Sequence, residues 1–211
     1  MTSYLTVARD ATAEIEVKRS RFLCTLARVE EEAAARALVD RLRKHHWDAR
    51  HHCSAFRIGP PPHAVERSSD DGEPAGTAGA PMLEVLRGAG VGDVAAVVTR
   101  WFGGTLLGAG GLVRAYGDAV RAALDASGTL RRSLVREHLL ELDHADAGRV
   151  ESELRTRGIA VLDTAYGAGV SLTLGVAPAD EPRLAALLAE LTSGASETTV
   201  AGERWVDNLR T

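Results

Sequence analysis

Two stretches of this sequence carry residue types that do chemistry. The first is RSSDDGEPAGTAGAP, Arg67 to Pro81, in which Asp70, Asp71 and Glu73 place three carboxylates within four residues. Thr77 follows among glycines, just ahead of an apolar run. Clustered acids bind hard cations through oxygen or supply a general base, but this spacing departs from the calcium-loop pattern. Read as turn residues, Asp and Gly shape Asx turns and Thr77 is placed to cap the next helix. The second stretch is RWFGGTLLGAGGLVRAYG, Arg100 to Gly117. Gly103, Gly104, Gly108, Gly110 and Gly111 fall within nine residues there, between an apolar run and a helical pattern. A glycine turn before a helix offers backbone N–H groups and the positive dipole end to an anion, and Arg100 suits a bidentate phosphate contact. The order fits neither the Walker pattern nor the dinucleotide fingerprint, and the turn holds no lysine.

The remaining reactive residue types are less organised. Arg114 and Asp118, like Arg121 and Asp125, have the i, i+4 spacing of self-paired charges on a solvated helix face. Trp101 and Phe102 are either base-stacking rings or core residues at the end of a buried strand. His45, His46, His51 and His52 cluster in sequence, but strand alternation sends His51 and His52 to opposite faces. Cys53 shares the His51 face, which leaves a Cys/His pair open without an indicated acid. Cys24 and Cys53 have no C-x-x-C spacing and read as buried thiols. No G-x-S-x-G or H-E-x-x-H occurs, so hydrolase readings have no anchor. No cofactor and no metal is expected.

These motifs need elements to hold them. Alternating segments predict strands at Ala13–Val17 and Arg21–Val29, and an amphipathic helix follows through EEEAAARALVDRLRKHH, with acids first and bases last. ARHHCSAFRIG alternates again, with Cys53, Ala55 and Arg57 opposite His52, Ser54, Phe56 and Ile58. Residues 66–81 read as a long loop, the kind that is usually functional. Pro81 suits the first turn of a short helix. DVAAVVTRW is apolar throughout and predicts a strand buried on both faces, and a long helix with the core stripe Leu112, Tyr116, Val120 and Leu124 follows the glycines. From about Leu134 the order becomes βαββαβ, the ferredoxin-like split pattern. The expectation is an α+β protein of two α/β sandwich domains, 1–132 and 133–211.

Composition is that of an ordinary globular protein: 45% hydrophobic, 26% charged and net −4 over 211 residues. Residues 1–134 hold 18 Lys+Arg against 16 Asp+Glu, while 135–211 hold 7 against 13. A phosphate-binding surface therefore belongs in the first half, as a local patch. Nearly every cation is arginine, since Lys18 and Lys44 are the only lysines. The opening residues lack a secretory apolar core and no run approaches the roughly 20 apolar residues of a membrane helix. A cytoplasmic location and no membrane partner are expected.

EIEVKRSRFLCTLARV, HHCSAFRIG, RSSDDGEPAGTAGAPMLEVL and VVTRWFGGTLLGAGGLVRAYGDAV together resemble the YigZ/IMPACT family, over most of residues 14–124. One departure is Trp101, where the family usually has Tyr. The resemblance implies a first domain akin to domain four of elongation factor G, in a fold group that also holds small-molecule kinases, and a second akin to that factor's domain five. It further implies a translational role, because the eukaryotic relatives compete for the activator of a stress kinase. The leading expectation is thus a non-enzymatic regulatory protein meeting RNA, the ribosome or a translation-associated protein. Its surface would combine Asp70, Asp71, Glu73 and Thr77 with Arg100, Trp101, Gly103, Gly104, Gly108, Gly110, Gly111 and Arg114, joined by Arg67. The rival is an enzyme on a small phosphorylated or nucleotide substrate, with phosphate on Gly108–Gly111 and magnesium or base chemistry at Asp71 or Glu73. A third reading, a protein-interaction module, predicts that the acids and arginines of the two stretches pair with each other. The sequence gives no oligomeric state.

Overall fold

The computed structural model describes residues 2–207. The chain divides into two compact units, one from Ser3 to Leu130 and the other from Arg131 onward. The first unit is built on an antiparallel sheet of five strands in the order β2-β3-β6-β4-β5. These are β2 (Ala11–Val17), β3 (Ser20–Arg28), β4 (His51–Ile58), β5 (Val65–Ser69) and β6 (Val94–Trp101), and β1 (Ser3–Val7) lies outside that sheet.

The central strand β6 is buried along nearly its whole length, as its unbroken apolar run predicts. Its alternate residues serve two cores. Val94, Ala96 and Val98 pack with Cys24, Cys53, Met82 and Tyr116 under α2 (Gly79–Gly88) and α3 (Ala109–Ser127). Ala95 and Val97 pack with Phe56, Leu38 and Leu42 under α1 (Glu32–His45) on the other face. α1 carries Glu32 in its first turn and Arg43, Lys44 and His45 in its last, the order the helix dipole favours.

Three details differ from the sequence reading. β1 was not foreseen; it is anchored by a bridge from Leu5 to Val91 and by the Tyr4 hydroxyl on the Asp93 carboxylate. Residues 65–69 are a paired strand, so the loop between β5 and α2 spans only 70–78. The long helix begins at Ala109, two residues before the predicted Gly111, because Gly108 supplies its N-cap at φ +73°.

The second unit follows the predicted βαββαβ order: β7 (Thr129–Leu142), α4 (His144–Thr156), β8 (Ala160–Tyr166), β9 (Val170–Val176), α5 (Glu181–Thr192) and β10 (Thr198–Asp207). Within it the strands run β10-β7-β9-β8, all antiparallel. Leu140, Leu172 and Leu174 of the sheet pack against Val150, Leu154, Leu184 and Leu188 of the helices. Among the described residues, no helix is long and apolar enough to cross a membrane.

Candidate functional site

The register of the first sheet gathers four segments at one end. The β2–β3 hairpin turns through Lys18 and Arg19, with Val17 opposite Ser20. Arg21 then stands opposite Trp101, and Arg100 stands between Phe22 and His51. α1 ends here before β4 begins, and β6 leaves here into the glycine turn. The acidic loop folds over the same end, since Asp71 bonds to both His51 and His52. Both motif segments, the hairpin and the α1–β4 turn therefore meet in one place.

Glu73 is the centre of that meeting. It is 9% exposed, and one carboxylate oxygen accepts from the Arg100 guanidinium at 2.5 Å and from the Tyr116 hydroxyl at 2.8 Å. His51 Nε2 lies 4.0 Å from the same oxygen. Cys53 extends the cluster, with its sulfur 3.3 Å from the Tyr116 hydroxyl and 3.0 Å from the Asp70 carbonyl that it donates to. Arg100 lies over the rings of Phe22 and Phe102, at 5.4 and 5.7 Å. Burial pushes the Cys53 thiol up to about 12, against the opposing Tyr116 bond, and pushes Tyr116 upward as well. Cys24 is pushed to about 12 by burial alone. Neither thiol is a thiolate at neutral pH, so the Cys/His nucleophile has no ionised partner here.

The other two acids are also committed to the fold. Asp70 accepts from the N–H groups of Gly76, Ala78 and Gly79 at 2.7, 3.0 and 2.8 Å. Ala78 is the N-cap of α2, which has no side-chain cap of its own. Asp70 thus caps that helix from upstream, where a negative charge also complements the dipole. Burial works against its ionisation, yet the three N–H donors together hold its carboxyl below the ordinary value. Thr77, the expected cap, instead donates its hydroxyl to the Pro74 carbonyl. Asp71 adopts φ +43°, accepts the His52 N–H at 2.7 Å and bonds to Arg43 of α1.

The glycine turn resolves into separate local needs. Gly104 and Gly108 have φ of +85° and +73°, which L side chains adopt at a cost. A Cβ on Gly103 would sit 2.0 Å from the Arg19 backbone carbon, and its N–H donates to Ser20 Oγ at 3.1 Å. Gly111 rests on Leu107, while Gly110 has open space around it.

Several expected site residues are placed differently from the sequence reading. Arg100 does not project toward an external phosphate; it is 6% exposed and paired with Glu73. Trp101 is half-buried, donates its indole N–H to Asp48 at 2.9 Å and lies under the Arg21 guanidinium at 4.7 Å. Arg114 is exposed and does not pair with Asp118, which bonds to Arg121 instead. Arg67 lies on β5 in a groove with Arg36 and Arg43, apart from the glycine turn. The structure also adds Tyr116, His51 and Cys53 to the cluster; Tyr116 read only as core, and His51 and Cys53 as strand residues that left a Cys/His pair open. Among the described residues no three His, Cys, Asp or Glu side chains converge as metal ligands.

The chain matches two family descriptions, Impact N-terminal domain over residues 18–124 and Domain of unknown function (DUF1949) over residues 140–195. It is 41% identical over 195 residues to the IMPACT family member YvyE of Bacillus subtilis, covering 92% of this chain and 89% of that one. The IMPACT family member YigZ of Escherichia coli is also 41% identical over 195 residues, covering 92% and 96%. A solved structure described as a hypothetical protein is 40% identical with a TM-score of 0.66, covering 95% of this chain and 98% of that one.

The cluster makes three stability predictions. Glu73→Gln leaves the Arg100 charge buried without a counter-charge and is expected to cost about 3–5 kcal/mol in urea unfolding. Gly103→Ala forces backbone apart and is expected to cost about 1–3 kcal/mol in the same assay. Asp70 is depressed in the folded state, so its contribution is present above its unfolded value and lost as pH falls through the folded one. Asp70→Asn should therefore flatten the loss of stability that sets in below about pH 4.

Proposed function

The chain belongs to the IMPACT family, and on that premise we propose that it is a non-enzymatic regulatory protein that binds the translation machinery through this end of its first unit. The observation that carries the reading is where the charges go. Asp70, Asp71 and Glu73 are all bonded within the protein, which leaves no free carboxylate in the loop for magnesium or for proton abstraction. This favours binding over the enzyme reading. Around the same end, Lys18, Arg19, Lys44, Arg50 and Arg114 are exposed, and none forms an ion pair among the described residues. The internal Glu73–Arg100 and Asp71–Arg43 pairs are also what the protein-interaction reading expects, so the partner is the ribosome or a factor bound to it.

The hairpin adds independent support. Lys18 and Arg19 form its two-residue turn, both with positive φ, 49° and 65°. That conformation favours Asn-Gly and costs a lysine or arginine about 1–2 kcal/mol each. Two cations are kept in a turn where they are strained, a placement that function explains and stability does not.

The test exploits that opposition. Lys18→Asn together with Arg19→Gly is expected to leave the fold at least as stable, by about 1 kcal/mol or more. The same double variant should sediment with ribosomes much less than the wild type at about 50 mM salt, and wild-type sedimentation should weaken toward about 200 mM. Wild-type protein that stays in the supernatant at low salt, or a variant that sediments like wild type, would refute the reading.

A further inference from the structure

Trp47, in the turn after α1, is 83% exposed, the most open of the large apolar side chains among the described residues. An indole left in water forgoes a large burial gain, and this one does not stand alone. His46 packs edge-on against Trp101, with centroids 5.2 Å apart, and against His45 at 4.5 Å. Phe102 is 49% exposed at the end of β6. The rings of His45, His46 and Trp101 are thus in contact at the α1–β4 turn, next to Trp47 in sequence, and Phe102 follows Trp101 into the glycine turn.

Cations are interleaved with these rings. Lys44 and Arg50 lie three residues before and after Trp47, and Lys18 and Arg19 project from the neighbouring hairpin. That hairpin touches the glycine turn, because Arg19 donates to Thr105 Oγ1 at 3.3 Å. The nearby acids are largely occupied: Glu14 is bonded to Arg21 and Asp48 to the Trp101 indole, while Glu16 adds its charge beside Arg21.

From this juxtaposition we propose that the end of the first unit binds single-stranded RNA, with a base stacked on Trp47 and the flanking phosphates held by Lys44, Arg50, Lys18 and Arg19. Exposed rings set between unpaired cations are the composition of a sequence-tolerant single-strand site, since every base has a face to stack and every linkage a charge. A protein partner would anchor the indole in a desolvated apolar collar. The sequence neighbours of Trp47 are instead the polar side chains His45, His46, Asp48 and Arg50, which make no such collar. A duplex keeps its bases stacked internally and offers Trp47 nothing to stack on. RNA rather than DNA rests on the translational reading above.

The experiment measures fluorescence anisotropy of a labelled, mixed-sequence single-stranded RNA of about 12 nucleotides, within the site sizes such surfaces cover, titrated with the whole chain over a salt series. Trp47→Ala should weaken binding on the order of tenfold with unchanged melting, because the side chain is exposed. Trp47→Phe should retain most of the affinity. Lys44→Gln with Arg50→Gln should weaken binding of every sequence and lower the salt slope by about one per lost phosphate contact. Equal affinity for Trp47→Ala and wild type, or duplex RNA bound as tightly as the single strand, would overturn the inference. Absence of RNA binding by protein that still sediments with ribosomes would overturn it too, and assign the surface to a protein partner. Absence of both would instead remove the translational reading on which it rests.

Discussion

A single buried ion pair organises the first unit. Glu73 comes from the acidic loop and Arg100 from the end of the central strand, and both side chains are almost fully withdrawn from water. Removing two charges from solvent is costly, and the attraction between them offsets that cost only when further hydrogen bonds complete the site. Tyr116 supplies one such bond from α3 and Cys53 connects the hydroxyl to β4. The pair thus fixes the loop against the sheet and the helix in one arrangement. A slip of one residue in β6 would turn Arg100 to the α1 face and leave Glu73 buried alone.

That constraint separates two kinds of charge at the same end of the molecule. Charges inside the cluster set geometry, and those outside it stay in solvent. Asp71 ties the loop to α1 and β4, Asp70 ties it to α2, and Glu73 ties it to β6 and α3. Facing solvent at this end are Lys18, Arg19, Lys44, Arg50 and Arg114 with Trp47 and Phe102, beside the acids Glu14, Glu16 and Asp48 and the apolar Leu106, although the chain as a whole is net −4. The global charge conceals this patch because the excess of acid lies in residues 135–211, where 13 Asp+Glu face 7 Lys+Arg.

Much of this architecture was legible in the sequence. Alternation placed His51 and Cys53 on one face and His52 on the other, the apolar run of β6 announced a strand covered on both sides, and the βαββαβ order of the second unit followed from its spacing. The site was legible as two segments but not as a network. Arg100 and Glu73 are 27 residues apart, and only the sheet register brings them together, so the arginine read as a phosphate contact. Local rules favoured Thr77 as the helix cap because it lies nearer, whereas the donor geometry selected Asp70. Tyr116 fitted the apolar stripe of α3 so well that its hydroxyl carried no signal. Trp47 lay past the end of a helical pattern, where periodicity assigns no face. Among the glycines, spacing could not separate a left-handed backbone from a close approach, and Gly110 meets neither need.

The remote cap on α2 joins two segments that secondary structure would treat as independent. The amides of Ala78 and Gly79 are protected only while Asp70, eight and nine residues upstream, remains in place. Lifting the loop from the sheet therefore uncovers the first turn of the helix at the same moment, so the two open as one cooperative unit. Solvent exchange at those two amides becomes a clock for the opening of the whole acidic loop, recorded at positions that never leave the helix they begin.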